Sequence, residues 1–219
     1  ALFPVDDAYI TAHNARALVA GSDANFPGVS PFQGATSAIH LVTVALFALV
    51  LPPAWALWTV AWIAIALYAA GTLRLARAWN LGRWPSIALV ALALLAGRMP
   101  HQLLNGLETG LTLAALTWTL ALASEPAPRR RWALPLLAAQ LPFLRPELAA
   151  FAPLPLLARA LSEARRDGRA AWGGLARDAL VFAAGALPWI GLSLATLGAP
   201  FPSTAAAKRL FFAEGCLPT

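Results

Sequence analysis

The chain has 219 residues, of which 59% are hydrophobic and 12% charged, with a net charge of +6. Soluble domains carry about 25% charged residues, so much of this surface must face something other than water. The Arg residues sit between apolar blocks and form no basic recognition helix, so membrane topology, and not nucleic acid, accounts for the positive charge.

The first residue is Ala and the only Met is Met99, so we expect a piece of a longer chain, with further membrane helices on both sides. A lone Cys216 can form neither an internal disulfide nor a thiolate metal site.

The first predicted element is a helix over DDAYITAHNARALVAG, residues 6–21. Asp6 and Asp7 stand at its N-terminus, where free backbone N–H groups and the helix dipole favour negative charge. Ile10, Ala17 and Leu18 form an apolar stripe, and Tyr9, His13 and Arg16 a polar one. The helix is therefore expected to lie in the membrane interface, with Gly21 as its C-cap. A single Asp suffices for capping. A second adds repulsion without a second cap, which favours a functional pair over a merely capped helix. A loop, NFPGVSPFQGATSAIH, carries Gly34, Thr36 and Ser37 into the next helix; His40 lies one turn inside it and reads as a hydrogen-bonded structural residue.

Apolar blocks follow at roughly 36–51, 54–73, 85–97, 107–123, 132–144, 147–161 and 178–197. A bilayer core takes about 20 helical residues. Blocks 54–73 and 178–197 fit, 85–97 is too short, and 132–144 is marginal. Short helices are tolerated where they line an enclosed cavity. Pro135, Pro142, Pro146, Pro153, Pro155 and Pro188 are expected to bound or kink helices. The predicted fold class is all-α. Residues 35–219 form a polytopic transmembrane helix bundle, and residues 1–34 an extracytoplasmic loop with the interfacial amphipathic helix.

Cytoplasmic loops collect Arg and Lys. The densest runs, Arg129 to Arg131 and Arg159 to Arg177, are separated by two apolar blocks and can share that side. RMPHQLLNGLETG, FLRPEL and GAPFPSTAAAKR then fall on the other. Were 36–51, 54–73 and 85–97 all to cross, the Asp pair and Glu108 would lie on opposite faces. We expect one of the three to enter without fully spanning.

The polar residues on that face are Arg98, His101, Asn105 and Glu108, then Arg145 and Glu147 flanking Pro146, then Lys208 and Arg209. Glu108 at a helix start reads either as a dipole-stabilised carboxylate or as a cavity group, since ionisable residues at membrane depth usually mark one. Arg145 and Glu147 read either as a mutual salt bridge or as site residues. The three His are scattered without metal-ligand spacing, and no nucleophile-elbow, Walker or dinucleotide motif appears. No cofactor is predicted; a divalent cation stays open. Carboxylates and cations together at a lipid boundary suit glycosyl transfer from a lipid-linked sugar. A carboxylate takes the acceptor's proton, and basic groups stabilise the departing phosphate.

The ordered set DDAYITAHNARALVAG, NFPG, PFQGATSAIHLVTVAL, NGLETGL, FLRPEL and GAPFPSTAAAK resembles membrane glycosyltransferases of the GT-C fold. It looks closest to the bacterial branch that includes terminal arabinofuranosyltransferases of mycobacterial cell-wall synthesis and mannosyltransferase-like relatives. NGLETGL resembles that branch's Gly-[Leu/Met]-Glu-Thr motif, FLRPEL its Thr-Arg-Pro-Glu-Gly motif, and GAPFPSTAAAK its Leu-Pro-Asn-Thr-Phe-Tyr-Ala-Lys motif. The resemblance implies a polyprenyl-phosphate sugar donor, an inverting hexosyl or pentosyl transfer, and an active site facing the periplasm from the bacterial inner membrane. It puts catalysis on Asp6 and Asp7. Donor and acceptor binding is expected among His13, Arg16, Arg98, His101, Glu108, Arg145, Glu147, Lys208 and Arg209. The chain departs from the family pattern at His13-Asn14, Gln33-Gly34-Ala35, Leu144, Ser203 and Ala205-Ala206, which leaves the sugar and the acceptor (glycan, lipid or protein) open. The rival classes are a secondary transporter, whose charges belong near the bilayer midplane, and a non-catalytic membrane assembly protein.

Overall fold

The fold is known from a computed structural model, which describes residue 3 and residues 7–125, 131–167 and 170–200. All regular structure among these residues is helical. The helices are α1 (Asp7–Ala20), α2 (Ala38–Ala48), α3 (Pro53–Ala78), α4 (Arg83–Leu95), α5 (Met99–Leu104), α6 (Thr109–Ser124), α7 (Ala133–Ala138), α8 (Leu141–Leu144), α9 (Leu154–Asp167) and α10 (Ala170–Leu197), with a 3-10 turn at Pro146–Ala149.

The pairing of α3 with α6 organises the molecule, and its cause is small residues. Gly71 lets Thr117 and Trp118 of α6 come within 2.6 and 2.7 Å of where a Cβ would stand, and Gly110 seats against Ala64. Small residues let membrane helices approach this closely. The Trp118 indole donates to the Leu67 carbonyl at 2.8 Å, and Arg74 grips Glu125 through two hydrogen bonds of 2.6 and 2.9 Å. Contacts that climb together along both helices make α3 and α6 parallel. The chain must therefore return between them. The return is α4, whose Ala93 and Leu94 pack beside Ile65 and Tyr68, followed by the short α5.

Two helices, Pro53–Ala78 and Gly173–Leu197, are long and apolar enough to cross a membrane. The predicted blocks 54–73 and 178–197 fall inside them. Their outward surfaces are oily: Trp62 on α3, and Leu180, Leu187 and Leu194 at seven-residue intervals on α10, are all exposed.

Other expectations need correction. Block 36–51 carries an 11-residue helix and block 85–97 overlaps a 13-residue one, α4, about 16 and 20 Å of helix. Two of the first three blocks thus fall short of a span, where one was expected. Block 132–144, marginal by length, is two helices broken at Ala139 and Gln140, in keeping with the break expected at Pro142, which has no N–H with which to continue the ladder. Block 147–161 begins as a 3-10 turn, and the strongly two-faced helix is α9, whose sequence LPLLARALSEARRD ends in charge. Helix α1 keeps only part of the expected apolar stripe: Ala17 is buried and Leu18 packs against the core, but Ile10 is 53% exposed. The buried residues of α1 are Ala8, Asn14, Ala15 and Ala17. Small side chains win this face because α1 packs tightly: Ala8 lies 2.8 Å from where a Gly106 Cβ would stand.

One end of the bundle is tied by charge. Arg131 pairs with Glu163, and Arg159 pairs with Asp178, in contacts that join the segment before α7 to α9 and α10. Arg159 also donates to the Arg131 carbonyl at 3.3 Å. The two basic runs that the sequence puts on one side do meet there.

Candidate functional site

Four chain segments converge at the other end of α6. Asn105 sets the turn before α6: its Oδ1 accepts the Leu107 N–H at 2.9 Å. Gly106 follows with φ of 80°, a left-handed conformation that favours glycine, in a position where any Cβ would strike Phe3 and Ala8. This turn delivers Glu108 to the start of α6. On the opposite wall Ser37 caps α2 by accepting the His40 N–H at 3.1 Å, and its hydroxyl donates to the Phe143 carbonyl at 3.1 Å. One serine thus stitches α2 to α8, and α8 hands the chain to Arg145.

The result is a cavity of about 340 Å³ lined by Asp7, Ile10, Thr11 and Asn14 of α1, residues 34–37, His40 and Leu41 of α2, Leu107, Glu108 and Arg145. Asp7, Thr11 and Asn14 share one face of α1 through four- and three-residue steps. The Thr11 hydroxyl donates to the Asp7 carbonyl at 3.3 Å. Asp7, the first residue of α1, is exposed into the opening.

Glu108 is held differently. Its side chain is 8% exposed and accepts from Arg145 Nε at 3.0 Å. It stands at the N-cap of α6 without a side-chain cap hydrogen bond, and it lines the cavity. Arg145, 40% exposed, also has Nη1 at 3.4 Å from Glu147, which is 61% exposed. Arg145 therefore stands between a buried carboxylate and an exposed one. The mutual Arg145–Glu147 bridge exists, as the longer and wetter of the two contacts.

The predicted site residues divide. Asp7, Glu108 and Arg145 line one cavity, with Glu147 attached through Arg145. His13 is elsewhere: its Nε2 lies 2.7 Å from Asp23 Oδ2, and its ring meets Phe26 edge-on. Burial pushes the Asp23 carboxyl up. The backbone N–H groups of Asn25 and Phe26 and the His13 side chain outweigh this and hold it below the usual carboxylate range. His13 thus fastens the loop after α1. Arg16, Arg98 and His101 are exposed and line no part of the cavity. On α1, Arg16 falls outside the face shared by Asp7, Thr11 and Asn14. Arg98 precedes α5 and His101 lies within it, and the buried residue of that helix is Leu103. Asp6, Lys208 and Arg209 lie outside the described residues.

Asn14 and His40 were the residues missed. Asn14 is seven residues beyond Asp7, a spacing that alone could have put it on the cavity face. His40 is buried and lines the cavity as well, which its place in an apolar helix concealed. Among the described residues no group of three or more His, Cys, Asp or Glu converges to hold a metal. Compared with protein-family models, curated proteins and solved structures, the chain matches none.

Proposed function

We propose that this chain carries active-site residues of a multi-pass membrane glycosyltransferase that moves a sugar from a polyprenyl-phosphate donor to a cell-envelope acceptor. The proposed setting is the bacterial inner membrane, with the site on the extracytoplasmic side. One observation carries the reading: an exposed carboxylate, Asp7, and a half-exposed guanidinium, Arg145, open into the same cavity. In the proposed reaction the acceptor O–H attacks the anomeric carbon, and Asp7 (or its neighbour Asp6) takes the proton. The bond from that carbon to the phosphate oxygen breaks, and the phosphate leaves with the electron pair beside Arg145. Glu108 is engaged by Arg145 and serves as the anchor of that cation, leaving Asp7 as the base.

The test is transfer of labelled sugar from a panel of polyprenyl-phosphate donors in membranes containing the protein. Asp7→Asn should lower transfer by about 10²- to 10⁴-fold, the usual contribution of a positioned base, while leaving fold and lipid-phosphate binding intact. No turnover with any donor would defeat the enzyme reading. Loss of stability alone, without loss of transfer, would take the role of base away from Asp7.

A second reading, a secondary transporter, is favoured by a separate observation. The cavity is level with Ala64, near the middle of the 26-residue α3, because Gly110 of the neighbouring turn of α6 seats against it. Beyond that level Leu46, Leu49, Val50 and Trp55 are exposed and apolar. A site at the midpoint of a spanning helix is what alternating access requires.

A further inference from the structure

Arg145 has two carboxylate partners of unequal standing, and the inequality suggests what each does. Glu108 meets Nε at 3.0 Å from a side chain that is 8% exposed. Glu147 meets Nη1 at 3.4 Å from one that is 61% exposed. An arginine captures a phosphate best with two parallel N–H donors. With Nε taken by Glu108, the pair left for this is the Nη1–Nη2 edge, and Glu147 occupies Nη1.

Two negative charges on one positive charge also leave the spot net negative, which opposes an arriving anion. The two carboxylates differ in how easily they can leave. Glu147 can swing into water at small cost, whereas freeing Glu108 would strand a charge in a buried setting. The backbone need not move for this: Pro146 and the 3-10 turn Pro146–Ala149 hold the main chain, and only the Glu147 side chain has to rotate.

We propose that Glu147 is an occluding carboxylate that keeps the outer edge of Arg145 covered until a lipid phosphate displaces it, while Glu108 keeps the guanidinium in place. The inference rests on the reading of Arg145 as the phosphate site and adds the residue that gates it. Glu147 is a positioning residue in this scheme and takes no part in the chemistry.

The experiment measures binding of farnesyl phosphate, farnesol and inorganic phosphate to the purified chain in detergent. Removing the competing carboxylate with Glu147→Gln should tighten farnesyl phosphate about two- to fivefold, the range an exposed ion pair commands, and leave farnesol unchanged. Glu147→Ala should do the same. In an Arg145→Gln background the gain should vanish. A gain that persists there would come from the general field of the protein and would overturn the proposal. So would unchanged or weaker binding in both Glu147 variants, although binding that is lost in Arg145→Gln would still support the phosphate site itself. No farnesyl phosphate binding to any form would overturn both. A matching gain for inorganic phosphate would identify the headgroup as the whole determinant; a gain confined to farnesyl phosphate would show that the chain positions the anion. Either pattern supports displacement.

Discussion

Asp7 opens α1 and Asp178 lies within α10, and the two carboxylates differ sharply in burial. Asp7 is exposed and lines an open cavity. Asp178 is 7% exposed and locked to Arg159, itself 7% exposed, across α9 and α10. Among the described residues its Oδ1 has no hydrogen-bond partner, and the Arg177 guanidinium stands at 3.9 Å. Breaking such a pair leaves a buried charge uncompensated and typically costs about 3–5 kcal/mol. We predict a loss of that order for Arg159→Met, read from thermal or denaturant unfolding in detergent. The double change Arg159→Met with Asp178→Leu should recover most of it, because an apolar pair of similar size needs no compensation. If the double variant is as unstable as the single one, shape and not charge holds this corner.

At the scale of elements, the decisive contact is α3 against α6. The Gly71 position leaves 2.6 Å to Thr117 Oγ1 and 2.7 Å to the Trp118 ring, closer than any side-chain carbon sits to a neighbour. Gly71→Ala should therefore push the two helices apart and lower stability by about 1–3 kcal/mol, the usual range for overpacking. The same change should weaken the Trp118 to Leu67 hydrogen bond, which a shift in tryptophan fluorescence would report. Wild-type stability and an unmoved spectrum would mean that the pairing is looser than described. The consequence reaches the cavity, since α6 carries Glu108 at its start.

At the scale of the whole molecule, the two charged ends of α6 are separated by its 16 residues, about 24 Å. One end holds Glu108, Arg145 and Glu147; the other holds Glu125 with Arg74, and beyond it Arg131 with Glu163. In a Cys216→Ser background, Glu147→Cys should react with a membrane-impermeant maleimide from the extracytoplasmic side, and Glu163→Cys from the cytoplasmic side. Labelling of both from one side would remove the proposed topology. Labelling of Glu147→Cys from either side, depending on added substrate, would favour the transporter.

Composition and the long apolar runs were enough to establish a helical chain with two membrane-length segments, because burial of continuous oily stretches needs no tertiary detail to be read. They also made the charged end legible: the Arg runs around residues 131 and 159–177 met as expected. The motif residues Asp7, Glu108 and Arg145 were legible one by one, since each breaks an apolar context. What the linear order left undecided was which polar residues share a cavity. That depended on α3 and α6 running parallel, on the return through the short α4, and on close approaches at Gly71, Gly106 and Gly110. Those packing choices drew in Asn14 and His40 and left His13, Arg16, Arg98 and His101 outside. Spacing along a helix assigns a residue to a face; only the neighbours packed around the helix decide what that face meets.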